Sequence, residues 1–196
     1  MTMSAEKRHY TYADYLTWPD DERVELIDGI ICMSPAPTPT HQRIIRQLLR
    51  QIGSYLDDKR CEVLPSPLDV RLFEAEGDDP RATDTVVQPD LMVICDPSKL
   101  DERGYRGAPD MIIEILSPST RRRDRLVKMN LYQRAGVREY WIADPENESV
   151  MVFLLGEDGV YHIHEDYGRS DMAQVNILED CQIDLSRVFP ERNDGP

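Results

Sequence analysis

The chain has 196 residues and a net charge of -14 at neutral pH, from 37 acidic against 23 basic residues. A chain of this length suits one domain and can bury roughly 70% of the surface that its unfolded form exposes. The charge argues against a protein held on nucleic acid by bulk electrostatics, because such binding rests on Lys and Arg neutralising phosphates, although a local site stays open.

The N-terminal stretch MTMSAEKRHYTYADYL has no apolar leader, and no run of about 18 apolar residues follows, so neither export nor membrane spanning is expected. Four cysteines, Cys32, Cys61, Cys95 and Cys181, lie far apart with no C-x-x-C pair. They read as buried thiols of a reduced, cytoplasmic chain. No repeat or long linker divides the sequence. The expectation is a single domain over residues 1–196, with a core over about 20–145 and a strand extension over about 146–190.

In chain order, an acid-rich, loosely helical lead-in passes to VELIDGIICMS, where Asp28-Gly29 signals a hairpin. After the Pro-rich SPAPTPT loop, Thr40 is placed to cap a helix whose apolar positions Ile44, Ile45, Leu48, Leu49, Ile52, Tyr55 and Leu56 recur at helical spacing. Three strand candidates follow, EVLPSPLDVRLF, QPDLMVICD and PDMIIEILS. Ser119 or Thr120 then caps a second helix ending near Gly136, and VREYWIADP restores a strand. SVMVFLLGEDGVYHIHEDY reads as two strands about an Asp-Gly turn, and DLSRVF as a short closing helical turn. The sum is a mixed α/β sheet with flanking helices and added hairpins at both ends.

Chemistry enters with the carboxylates of the strands. Alternation puts Ile112, Glu114 and Leu116 on one face and Met111, Ile113 and Ile115 on the other. Glu114 therefore lies inside an apolar run, where a carboxylate loses hydration unless something compensates it. Asp90 opens the preceding apolar run, and neighbouring strands would bring the two carboxylates together. Two converging carboxylates need a proton or a cation between them. Magnesium, with manganese as a substitute, suits the pair as a hard cation that takes oxygen ligands, and it supports phosphodiester hydrolysis. Lys128 shares a helical stripe with Leu131, Tyr132 and Ala135, which aims its ammonium at the sheet. The structural alternatives are a turn aspartate, a glutamate paired with an arginine, and a lysine that snorkels to water.

The phrases VELIDGIICMSPAPTPTHQRI, VVQPDLMVIC and PDMIIEILSPSTRRRDRLVKMNLYQRAGVREYWIADP resemble the Uma-two family of restriction-endonuclease-like proteins, within the PD-(D/E)XK nuclease superfamily. The resemblance implies a core of helix, three strands, helix and strand, and a metal-dependent endonuclease acting on nucleic acid, with DNA favoured over RNA. It implies that Asp90, Glu114 and the backbone carbonyl of Ile115 hold the metal, that Lys128 is catalytic, and that Glu25 is an additional acidic residue of the site. One departure stands out: the superfamily places lysine two residues after the acid, where this chain has Leu116, so its function passes to Lys128 on the helix.

Other residues keep two readings. His41 is a phosphate contact or an exposed turn residue; Arg121, Arg122, Arg123 and Arg125, in the basic run RRRDRLVK, are phosphate contacts or solvated. His162 and His164 lack a third ligand for zinc, and Ser117 and Ser119 lack a neighbouring base. A homodimer would suit cutting of both duplex strands. The competing reading is a nuclease-like fold without catalysis, acting as a binding or accessory protein.

Overall fold

The computed structural model describes residues 8–19, 23–118 and 123–189. In chain order these form α1 (Tyr12–Tyr15), the hairpin β1 (Val24–Ile27) and β2 (Ile30–Met33), and the long helix α2 (Pro39–Leu56). Next come β3 (Glu62–Pro65), β4 (Val70–Arg71), β5 (Val86–Val87), β6 (Leu91–Ile94), β7 (Leu100–Asp101), β8 (Gly104–Arg106) and β9 (Met111–Ile115). A π-helical segment, Arg123–Lys128, runs directly into α3 (Met129–Ala135). The chain continues through β10 (Glu139–Asp144), β11 (Ser149–Leu155), β12 (Tyr161–Gly168), β13 (Met172–Gln174), β14 (Gln182–Asp184) and α4 (Leu185–Val188).

The mixed α/β class stands, but the strands divide between two six-stranded sheets and a small ribbon. One sheet has the order β2-β1-β5-β4-β8-β7 and the other β12-β11-β10-β9-β6-β3, with β13 and β14 paired separately. The run EVLPSPLDVRLF, expected as one strand, breaks after Pro65; β3 joins β6 in one sheet and β4 joins β5 and β8 in the other. Pro65 and Pro67 have no N–H to donate, so the ladder ends there.

Residues on β9 alternate between two cores, as their spacing predicts. Met111, Ile113 and Ile115 pack with Ile44, Leu48 and Ile52 of α2, while Ile112 and Leu116 pack with Leu131 and Tyr132 of α3. Burying the four apolar side chains of β9, all at 2% exposure or less, contributes roughly 6–12 kcal/mol. That offsets the several kcal/mol that dehydrating Glu114 on the same strand costs.

Local chemistry fixes the ends of the elements that carry the site. Asp28 and Gly29 take positive φ, 49° and 72°, and close the β1–β2 hairpin. Thr38, rather than Thr40, caps α2 by accepting the His41 N–H at 3.2 Å. Pro39 occupies the first turn, where its missing N–H costs nothing. Gly136 ends α3 at φ 85°. The caps expected at Ser119 or Thr120 lie outside the described residues.

The cysteines correct the reading of a fully reduced chain. Cys61 and Cys95 form a disulfide, while Cys32 and Cys181 remain thiols outside it. The antiparallel register Glu62↔Ile94 carries one step further to set Cys61 opposite Cys95, a pairing that a separation of 34 residues conceals in the sequence. Thiol titration of the unfolded, unreduced protein is expected to count only Cys32 and Cys181. Reduction should expose all four thiols and remove about 3–4 kcal/mol of stability by the loop-entropy relation, measured as a lower midpoint in urea.

Candidate active site

A cavity of about 620 Å³ opens between the two sheets and the start of α2, within the size range of small-molecule and substrate sites. Its wall brings together Asp90, Glu114, Ile115, Lys128 and His41. Arg23, Gln88, Thr38 and the Pro35–Pro37 loop complete the part nearest these groups.

At the floor sits Lys128, only 3% exposed, with its Nζ 2.8 Å from Glu25 Oε1 and 2.8 Å from Glu114 Oε1. The lysine therefore points to the sheet and does not snorkel to water. It is the last residue of the π-helical segment, whose wider turn delivers it to the wall at the head of α3. Tyr132, one helical turn on, donates its hydroxyl to the same Glu114 Oε1 at 2.6 Å. Burial, and then the charges of Glu114 and Glu25, hold the Tyr132 hydroxyl well above its usual pKa, so it stays protonated as a donor.

Glu25 is fixed from β1. Its Oε1 also accepts the Gln88 backbone N–H at 2.9 Å, and the Gln88 side chain reaches Tyr15 Oη at 3.2 Å and Asp69 Oδ1 at 2.9 Å. Gln88 thus ties the aromatic lead-in to the floor of the cavity.

Asp90 and Ile115 meet directly, for the Ile115 N–H donates to Asp90 Oδ2 at 2.8 Å. An extended residue turns its N–H and C=O toward the same neighbour, which directs the Ile115 carbonyl to the Asp90 side of β9. His41 Nε2 lies 3.0 Å from the same Asp90 oxygen, and its Nδ1 is buried without a hydrogen-bond partner. His41 is therefore not an exposed turn residue; through Nε2 it holds the Asp90 carboxylate.

Two carboxylates and one carbonyl at the cavity wall match the donor set that a hard divalent cation uses together with water. Among the described residues, no group of three or more His, Cys, Asp or Glu forms a self-sufficient metal cage, so water or substrate oxygens would complete the shell.

Of the four arginines in the basic run, only Arg125 has a described side chain. Arg125 pairs with Asp144 at 3.2 Å and is absent from the cavity wall. Arg121 and Arg122 lie outside the described residues, as does the Arg123 side chain. Glu139 is a second deeply buried carboxylate, yet it is satisfied by the Trp141 indole and the N–H groups of Asn176 and Ile177; that network is structural. His162 pairs with exposed Asp158.

Three residues of the site and its support escaped the sequence reading. Tyr132 had been placed on the same inward stripe as Lys128, but as packing. Arg23 precedes Glu25 by two positions, and its carbonyl extends the hairpin ladder by accepting the Ser34 N–H; strand alternation would have put it beside Glu25. Gln88 carried no signal, because its role depends on a backbone N–H.

Two sheets of strands with few helices make a nuclease-like fold, with acidic and basic groups gathered at a β-strand end. The fold is shared with a solved structure described as "a putative nuclease belonging to DUF820" from Anabaena variabilis ATCC 29413, at a TM-score of 0.71 and 21% identity, over 91% of this chain and 97% of that one. Residues 12–186 match the model of the Uma2 family, described as "Putative restriction endonuclease", and the chain belongs to that family. Among similar proteins are two from Synechocystis sp. (strain ATCC 27184 / PCC 6803 / Kazusa), both described as uncharacterized. One, slr1290, is 26% identical over 84% of each chain, and the other, sll1609, is 28% identical over 74% of this chain and 80% of its own.

Removing the ammonium should leave Glu25 and Glu114 buried against each other. Lys128→Met is expected to cost about 3–5 kcal/mol near neutral pH. Tyr132→Phe, losing one hydrogen bond to a charged group, should cost about 1.5–3 kcal/mol. Urea unfolding of both variants near neutral pH checks both figures.

Proposed function

We propose that the protein is a divalent-cation-dependent endonuclease that hydrolyses phosphodiester bonds in nucleic acid, with DNA as the substrate and magnesium or manganese as the ion. The observation that carries this reading is the buried Lys128 ammonium between Glu25 and Glu114, on the wall of a cavity that Asp90 also lines. The family and the fold support the coarser half of it.

Asp90, Glu114 and the Ile115 carbonyl would hold the ion, with His41 fixing the Asp90 carboxylate. The ion would supply a water acidified toward neutral pH and charge neutralisation at a phosphoryl oxygen. Lys128, a compact charge already desolvated, orients the attacking water and stabilises the negative charge that develops on phosphorus oxygens. Glu25 receives the proton of that water. Oxygen attacks phosphorus, the P–O bond opposite breaks, and the leaving oxygen takes a proton from solvent. Tyr132 and Gln88 keep the two glutamates in place. Arg23 lines the cavity and makes no ion pair with a described residue, so its guanidinium is available to a substrate phosphate.

A second reading draws on one observation: Glu114 Oε1 already accepts from both Lys128 and Tyr132. A carboxylate so occupied also suits a fold-stabilising cluster in a noncatalytic nuclease-like protein that binds a partner.

Incubation of supercoiled plasmid and of single-stranded DNA and RNA with magnesium, manganese or EDTA separates the two. Cutting of DNA is expected with either metal and none with EDTA. Glu114→Gln and Lys128→Ala should each lose about 100-fold or more in rate, with Glu114→Gln keeping a native circular dichroism spectrum. Undiminished cutting by Glu114→Gln would remove this residue from the mechanism.

A further inference from the structure

The helix α2 is electrically unlike the rest of the chain. About one residue in five of the whole sequence is acidic, yet the 18 residues of α2, PTHQRIIRQLLRQIGSYL, contain no acid at all. Its apolar face, Ile44, Ile45, Leu48, Ile52 and Leu56, is buried. Arg43, Arg46 and Arg50 are exposed, and their spacing of three and four residues lines them along one side of the helix. Many arginines elsewhere are neutralised, as Arg71 is by Glu74 and Asp101, Arg125 by Asp144 and Arg134 by Asp28. Arg43, Arg46 and Arg50 form no ion pair with any described residue.

Position gives the stripe its meaning. The first residues of α2, Thr40 and His41, lie on the cavity wall, so the stripe begins at the mouth of the site and leads away from it. From Arg43 to Arg50 the helix rises roughly 10 Å, the length of about three phosphates along one strand of a duplex. The stripe offers no exposed apolar side chain to enter a lipid layer, since the apolar residues of α2 point into the core.

We infer that the exposed face of α2 carrying Arg43, Arg46 and Arg50 is a track for the phosphate backbone of the nucleic acid that enters the cavity, and that it supplies the main electrostatic attraction in an otherwise repulsive protein. This inference rests on the nuclease reading above. It assigns the backbone contact to α2, in contrast to the RRRDRLVK run that composition alone points to.

The test uses the full chain with Glu114→Gln, which leaves substrate intact, and the same chain carrying Arg43→Gln, Arg46→Gln and Arg50→Gln. Glutamine keeps helix propensity near that of arginine. Binding to a short labelled DNA duplex is followed by anisotropy between about 50 and 200 mM salt. The parent should lose affinity steeply with salt, and the triple variant should lack about 40-fold of that loss, the share of three phosphate contacts. A charge-matched control, Arg81→Gln with Arg103→Gln and Arg106→Gln, should keep the parent slope. Equal slopes in the triple variant and the control would overturn the inference. So would absence of duplex binding by the parent at low salt, or arginine-dependent binding to anionic phosphatidylserine vesicles in place of DNA. Hydrolysis of bis(p-nitrophenyl) phosphate with manganese judges the nuclease reading separately: the α2 variant with Glu114 restored should cleave this small diester at the wild-type rate, because the stripe lies outside the cavity.

Discussion

A single ammonium group buried between two carboxylates organises this protein. Lys128 comes from the π-helical lead into α3, Glu25 from β1 in one sheet and Glu114 from β9 in the other. Each alone would be a charge stripped of water at a cost of several kcal/mol. Together they fix the two sheets and α3 in one relative position. Further donors, Tyr132 on Glu114 and the Gln88 N–H on Glu25, reinforce it, and a well-bonded buried polar cluster resists rearrangement. The apolar residues of β9 and β10 carry the energetic cost, while the polar cluster fixes the geometry.

This arrangement also concentrates chemistry at one place. Asp90, at the entrance to β6, is bonded to the backbone of β9 next to Glu114, and His41 at the head of α2 bonds Asp90 in turn. Carboxylate, ammonium, imidazole and guanidinium thus share one cavity wall. Elements from both sheets and two helices are needed to assemble it, which suits a site whose geometry must hold when a charged substrate displaces its water.

Much of this was legible in the sequence, for identifiable reasons. Period-two alternation assigned Ile112, Glu114 and Leu116 to one face of β9, and the 3.6-residue period assigned Lys128 inward; both follow from local geometry. The Asp28-Gly29 hairpin and the Gly136 stop are turn chemistry, equally local. The division into two sheets was not legible, because which strands pair is decided by long-range packing. The Cys61–Cys95 bond was hidden for the same reason: it follows from the register of β3 on β6. Arg125 looked like a phosphate ligand in a basic run, but Asp144, 19 residues later, takes it. Arg43, Arg46 and Arg50 were obscured by the apolar periodicity of their own helix, which identified the buried face and left the exposed one without comment.

The most direct test of the cation-binding account is calorimetric titration of manganese into wild type, Asp90→Asn and Glu114→Gln, with thermal unfolding of the same samples. Wild type should bind manganese at this site. Each variant should bind about tenfold or more weakly while still unfolding cooperatively as a native protein. Equal manganese affinity in all three, or no heat of binding in the folded wild type, would contradict the assignment of Asp90 and Glu114 as the ligands of a catalytic metal.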